Sequence, residues 1–122
     1  MNAQELKDRT KKFALRIIRL VENLPKNRIS DVIGRQVVKS ATSIGANYRA
    51  VCRARSRADF ISKMGIVEEE ADETVYWLEL LIESGLIKEI AIEDLFKEAN
   101  ELTAIFTAAC KSAKAGRKQS AI

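Results

Sequence analysis

Apolar residues recur at alternating intervals of four and three along most of this 122-residue chain, and Pro25 is the single proline available to break a helix. That spacing lays one stripe of side chains along an α-helix, whereas a strand repeats every two residues and cannot use it. The first stretch carries Leu6, Phe13, Ile17, Leu20 and Leu24, with Thr10 in the one polar slot. In the second, Ile33, Val37, Ala41, Ile44, Tyr48, Val51 and Cys52 fall within one arc of about 100° on a helical wheel. The third carries Phe60, Met64, Val67, Ala71, Thr74, Leu78 and Ile82; the fourth carries Leu95, Ala99, Leu102, Phe106, Ala109 and Ala113.

Local signals set the boundaries. Pro25 ends the first stretch, and Ser30 or Asp31 is the expected cap of the second. Ser56 and Asp59 form an S-x-x-D capping box for the third, and Gly85 is its expected C-cap. The fourth begins near Ile90–Ala91 without a good cap. The pattern predicts helices over about 3–24, 31–53, 57–84 and 91–113. Four such helices joined by short loops form an all-α, antiparallel up-and-down four-helix bundle over residues 1–114, with 115–122 expected as a disordered basic tail.

The chain has no histidine, which removes imidazole bases, Ser–His and Cys–His nucleophile pairs and imidazole metal ligands. Its glycines (34, 45, 65, 85 and 116) are isolated, so no phosphate-cradling glycine loop is present. A non-enzymatic protein without a cofactor is expected. The acidic run Glu68–Glu69–Glu70–Ala71–Asp72–Glu73 spreads its carboxylates around the exposed side of the third helix, which suits ion pairing better than a metal site. Cys52 and Cys110 form no CxxC pair and are expected as reduced, partly buried thiols. No apolar run reaches membrane-spanning length, and the first dozen residues lack the apolar core of a secretion signal; both point to a cytoplasmic location with no membrane partner.

Charge is divided unevenly. Residues 1–63 hold 15 Lys and Arg against 5 Asp and Glu, while residues 64–122 hold 6 against 12. Arg49, Arg53, Arg55 and Arg57 crowd into nine residues. On the wheel, Arg35, Lys39, Arg49 and Arg53 lie opposite the apolar arc of the second helix, provided that helix runs unbroken to about residue 53. Arg9, Lys12, Arg16 and Arg19 form a second basic row, opposite the core face of the first helix. Arginine's planar fork suits phosphate, which makes both rows candidate nucleic-acid-binding faces. The thinness of aromatic interleaving argues against dedicated stacking of single-stranded bases.

The segment Ser43–Leu81 resembles the four-helix-bundle proteins found in intervening sequences of bacterial large-subunit ribosomal RNA genes. The resemblance rests on Gln36, Ser40, Ser43–Ile44 and Asn47, then Arg55–Ser56 and Asp59–Phe60, then Glu70–Ala71, Glu73 and Tyr76–Trp77–Leu78. Many members carry Ile-Ala-Glu-Gly after the asparagine; this chain carries Tyr48–Arg49–Ala50–Val51, which is more basic and more helical. The resemblance implies a bundle that assembles with itself into a ring, commonly a pentamer. A related group, the accessory proteins of diversity-generating retroelements, implies a basic ring that binds nucleic acid and a protein partner.

Two functions are compatible with these residues. One is RNA or DNA binding through basic helix faces, as an accessory or RNA-associated factor. The other is an interaction scaffold whose arginines pair with acids of neighbouring subunits or of a protein partner. Trp77 falls outside the core arc of the third helix, and with Ile66, Glu73, Leu80 and Leu81 it marks an expected oligomer interface.

Overall fold

The computed structural model describes residues 1–116. Four helices, α1 (Ala3–Glu22), α2 (Arg28–Val51), α3 (Arg57–Glu83) and α4 (Glu93–Lys114), pack in a closed ring of neighbours. Each helix lies against the next in sequence, and α4 returns to α1. Cross-helix contacts fix the up-and-down order. Arg57 at the start of α3 reaches Ala113 at the end of α4, and Ala3, Val51, Arg57 and Ala113 share one end of the bundle. No helix among the described residues is long and apolar enough to cross a membrane.

The core follows the predicted stripes. Leu6, Phe13 and Ile17 of α1, Val37, Ala41, Ile44 and Tyr48 of α2, Met64, Val67, Ala71 and Leu78 of α3, and Leu102 and Phe106 of α4 are all buried. Tyr48 and Phe106 meet at the centre with ring centroids 5.7 Å apart. Thr10 stays in the core because its hydroxyl donates to the Leu6 carbonyl at 2.9 Å. Gly45 lets α2 close on it there: a Cβ at residue 45 would sit 3.1 Å from Thr10 Oγ1. Across the α2–α3 seam the buried hydroxyls of Ser40 and Thr74 lie 2.9 Å apart, each also within reach of a carbonyl of its own helix. A buried polar pair of this kind satisfies itself and fixes the register of the two helices.

Helix ends depart from expectation where a competing cap wins. α2 begins at Arg28, a turn ahead of the predicted start, because Asn27 Oδ1 accepts the Ser30 backbone N–H at 2.9 Å. Ser30 is thereby carried into the helix and buried, and its hydroxyl has no partner among the described residues. α2 also stops at Val51, so Cys52 is exposed instead of partly buried and Arg53 lies in the turn, held by its N–H to the Ala50 carbonyl. Cys110 is buried. The Ser56 cap of α3 is present, with Ser56 Oγ accepting from Asp59 N–H. α3 ends at Glu83, and Gly85 follows at φ +81°, the left-handed conformation that glycine adopts without strain. With no capping side chain at its start, α4 is entered through a 3₁₀ turn, Glu89–Ile92, and Glu93 and Asp94 place negative charge at its first turn.

The third helix carries one further correction. Leu81 is fully buried, while Ile82 is only half-buried against the core. Strict alternation of four and three after Leu78 lands on residue 81, not 82, so the expected assignment of Leu81 to an outer surface fails. Of the predicted tail, Ala115 and Gly116 form a turn at the end of α4; its disorder from residue 117 onward lies outside the described residues.

Candidate nucleic-acid interface

The outward face of α2 is basic because its apolar arc is spent on the core. Arg35, Lys39, Arg49 and Arg53 are all exposed. Among the described residues, none of the four makes an ion pair. They fall into two pairs, each spaced by four residues: Arg35 and Lys39 stack along one side of α2, while Arg49 on its last turn is followed by Arg53 in the turn beyond the helix end. Lys39 and Arg49 are ten positions apart, roughly 15 Å along the helix axis, with the uncharged Thr42 and Ala46 between them.

Arg35 and Lys39 border a cleft with Val21, Pro25 and Lys26 at the α1–α2 turn. Arg49 and Arg53 open onto a larger one, of about 800 Å³, at the other end of α2. Lys7 of α1 and Lys63 of α3 also line it, with Arg55 from the α2–α3 turn, Ala46, Ala50 and a single carboxylate, Asp59. Asp59 is already committed: its Oδ2 accepts from Lys63 Nζ at 3.0 Å and from the Arg55 backbone N–H at 3.1 Å. The Lys63 hydrogen bond, followed by that of Arg55, holds its carboxyl below the usual range, so it stays ionised near neutral pH. Neither Lys7 nor Lys63 belongs to a basic row on the wheel. The antiparallel packing of α1 and α3 on either side of α2 is what brings them to the same cleft.

The row on α1 has a different setting. Arg9 is clamped by Glu98 of α4 through two hydrogen bonds, Nε to Oε2 at 2.7 Å and Nη2 to Oε1 at 2.6 Å, with Glu101 at 3.9 Å. Arg16 and Arg19 border a cleft whose other wall, Glu93 and Asp94, is acidic. Lys12 is exposed. This row therefore faces the acidic side of α4, away from the α2 cleft, and the two rows do not converge. Arg57 is likewise withdrawn from the four-arginine cluster, since its Nη2 donates to the Ala113 carbonyl at 2.9 Å and caps the end of α4.

On the outside of α3, Ile66, Glu73 and Tyr76 are exposed and Trp77 and Leu80 are half-buried. Trp77 Nε1 donates to Glu73 Oε1 at 3.2 Å, and the Tyr76 and Trp77 rings meet edge to face, 5.1 Å between centroids. Sequence position alone does not single out Tyr76, which lies off the core arc, yet its ring completes this aromatic patch. Asn47 serves its own helix, donating to the Ser43 carbonyl. Glu70 is half-buried, and that burial, opposed by nearby Ser43 and reinforced by Glu73, raises its pKa.

These features define an up-and-down helical bundle with a basic α2 face, a concave basic site at one end of it and an aromatic patch on α3. The chain belongs to the 23S rRNA-intervening sequence protein family, whose sequence pattern matches residues 3–108. It is also similar to the crystal structure of a protein with unknown function from the S23 ribosomal protein family of Bacteroides thetaiotaomicron. The TM-score is 0.82 at 39% identity, covering 91% of this chain and 99% of that one. No curated protein matches the chain.

Proposed function

We propose that this protein is a non-enzymatic, cytoplasmic, RNA-associated factor that binds nucleic-acid backbone through the outer face of α2. The observation that carries the proposal is the cleft at the end of that face, where Lys7, Arg49, Arg53, Arg55 and Lys63 surround a single carboxylate that is already hydrogen-bonded. Lys7, Arg49, Arg53 and Arg55 make no ion pair among the described residues, and a phosphate backbone neutralised by such fixed cations releases its condensed counterions. The family's connection with 23S rRNA makes RNA the first ligand to test.

The second element of the proposal is self-association through Ile66, Glu73, Tyr76, Trp77 and Leu80 on α3, in a ring commonly of five subunits. The exposed and half-exposed aromatic surface favours it. A ring repeats the α2 face by symmetry, so weak contacts add through avidity. In the alternative reading, the α2 cations pair with α3 acids such as Glu69 of a neighbouring subunit and bind no nucleic acid. Titrating the protein with a generic RNA over a range of salt concentrations tests the proposal. Affinity is expected to fall steeply and linearly on a log–log plot, and binding absent at every salt concentration would favour the scaffold reading.

A further inference from the structure

The cleft at the α2–α3 corner is built differently from the rest of the α2 face. Its five cations come from four places in the chain: α1, α2, the α2–α3 turn and α3. Lys7 encloses it on one side and Lys63 on the other. Its floor is Ala46 and Ala50, one helical turn apart, whose small side chains let a ligand approach the helix between Arg49 and Arg53. Asp59 does not fill the site. It lies at the first turn of α3, where it holds Lys63 and the Arg55 backbone in place.

We propose that this cleft receives the terminal phosphate monoester of a nucleic-acid strand. The inference rests on the nucleic-acid reading above and narrows it to a strand end. An internal phosphodiester carries one negative charge, and its chain must leave in two directions. A terminal monoester carries a charge of about −1.5 to −2 at pH 7, offers three acceptor oxygens and leaves in one direction. The lysines on the flanks leave the line of α2 as the continuation of the basic surface. A strand leaving that way meets Lys39 roughly 15 Å on and Arg35 roughly 21 Å on.

The test compares short single-stranded RNAs of one sequence carrying a 5′-phosphate, a 3′-phosphate or hydroxyls at both ends, with binding to the full chain read by fluorescence anisotropy. One phosphorylated form is expected to bind on the order of tenfold tighter than the hydroxyl-ended strand, the effect of one or two added charge-assisted hydrogen bonds. The advantage is expected to shrink from about pH 7.5 to about pH 5.5 as the monoester takes up a proton near pH 6. The chain has no histidine, and the one carboxylate lining the cleft beside Lys7, Arg49, Arg53, Arg55 and Lys63, that of Asp59, is held below the usual carboxylate range by Lys63 and the Arg55 backbone. Lys7→Gln with Lys63→Gln, both off the α2 row, should erase the preference, weakening the phosphorylated strand's binding by about tenfold more than that of the hydroxyl-ended strand. Equal affinity of the wild type for all three strands overturns end recognition while leaving backbone binding standing, as does a preference that survives the double substitution. Absence of salt-dependent binding to every strand overturns both.

Discussion

The outer faces of α2 and α3 are two exposed surfaces of similar length on neighbouring helices, and they differ in almost every property that matters for recognition. The α2 face is cationic, has no ion pairs among its four row residues and ends in a concave site. The α3 face is acidic and aromatic, with Trp77 tied to Glu73. A fixed cation keeps much of its hydration and trades it readily for a phosphate. An exposed aromatic gains most by leaving water altogether. The contrast therefore suits the two faces to different partners, and the proposed division of labour puts ligand contact on α2 and self-contact on α3, over one shared core.

The largest expected effects remove that shared core. Phe106→Ala should destabilise the bundle by about 3–5 kcal/mol, through the transfer energy forfeited plus the cavity left under Tyr48. Leu81→Ala should cost about 2–5 kcal/mol, whereas Leu80→Ala, one residue along, should cost far less. Urea unfolding checks all three, and equal costs at 80 and 81 would erase the line between core and outer surface on α3. Trp77→Glu acts mainly on the outer face of α3, where the half-buried ring also packs against the edge of the core. Light scattering should show a lower oligomer mass while circular dichroism shows the helix content retained, and an unchanged mass removes α3 from the assembly surface.

How far these distinctions were legible in the sequence depends on what each one rests on. Four helices and most of their core stripes follow from periodicity alone, since a residue's position on its own helix fixes which way it points. Leu81 was within reach of the same rule, applied strictly. The start of α2 was harder, because Asn27, Ser30 and Asp31 are all competent caps and the choice depends on how the chain leaves Pro25. The basic cleft was not legible. Lys7, Arg55 and Lys63 join Arg49 and Arg53 only through packing between helices, and a wheel describes one helix at a time. The same limit hid the partner of Arg9, since Glu98 is 89 residues away.

That clamp gives a smaller test of the comparison. Arg9→Ala should cost about 1 kcal/mol, because the pair is partly exposed and screened. It should leave the salt dependence of RNA binding unchanged; a flattened slope would return the α1 row to the binding face. The smallest expected effect is on α3. Burial raises the Glu70 pKa, so the folded state holds that proton more tightly than the unfolded chain does. The associated stability is present below the unfolded carboxylate value, about 4.3, and is lost as pH rises through the raised folded value. Glu70→Gln should therefore stabilise the protein slightly at neutral pH, with the gain over wild type fading in acid. Thermal melts across that range read it directly.

The division of labour itself is tested most directly by one double variant, Arg49→Ala with Arg53→Ala, measured for RNA affinity at several salt concentrations and for oligomer mass. The account predicts weaker binding to RNAs of many sequences alike, a log–log salt slope flattened by about 0.7 for each single-strand phosphate no longer neutralised, and an unchanged mass. A fall in oligomer mass with RNA binding unaltered would contradict it, by placing these arginines in the contact between subunits.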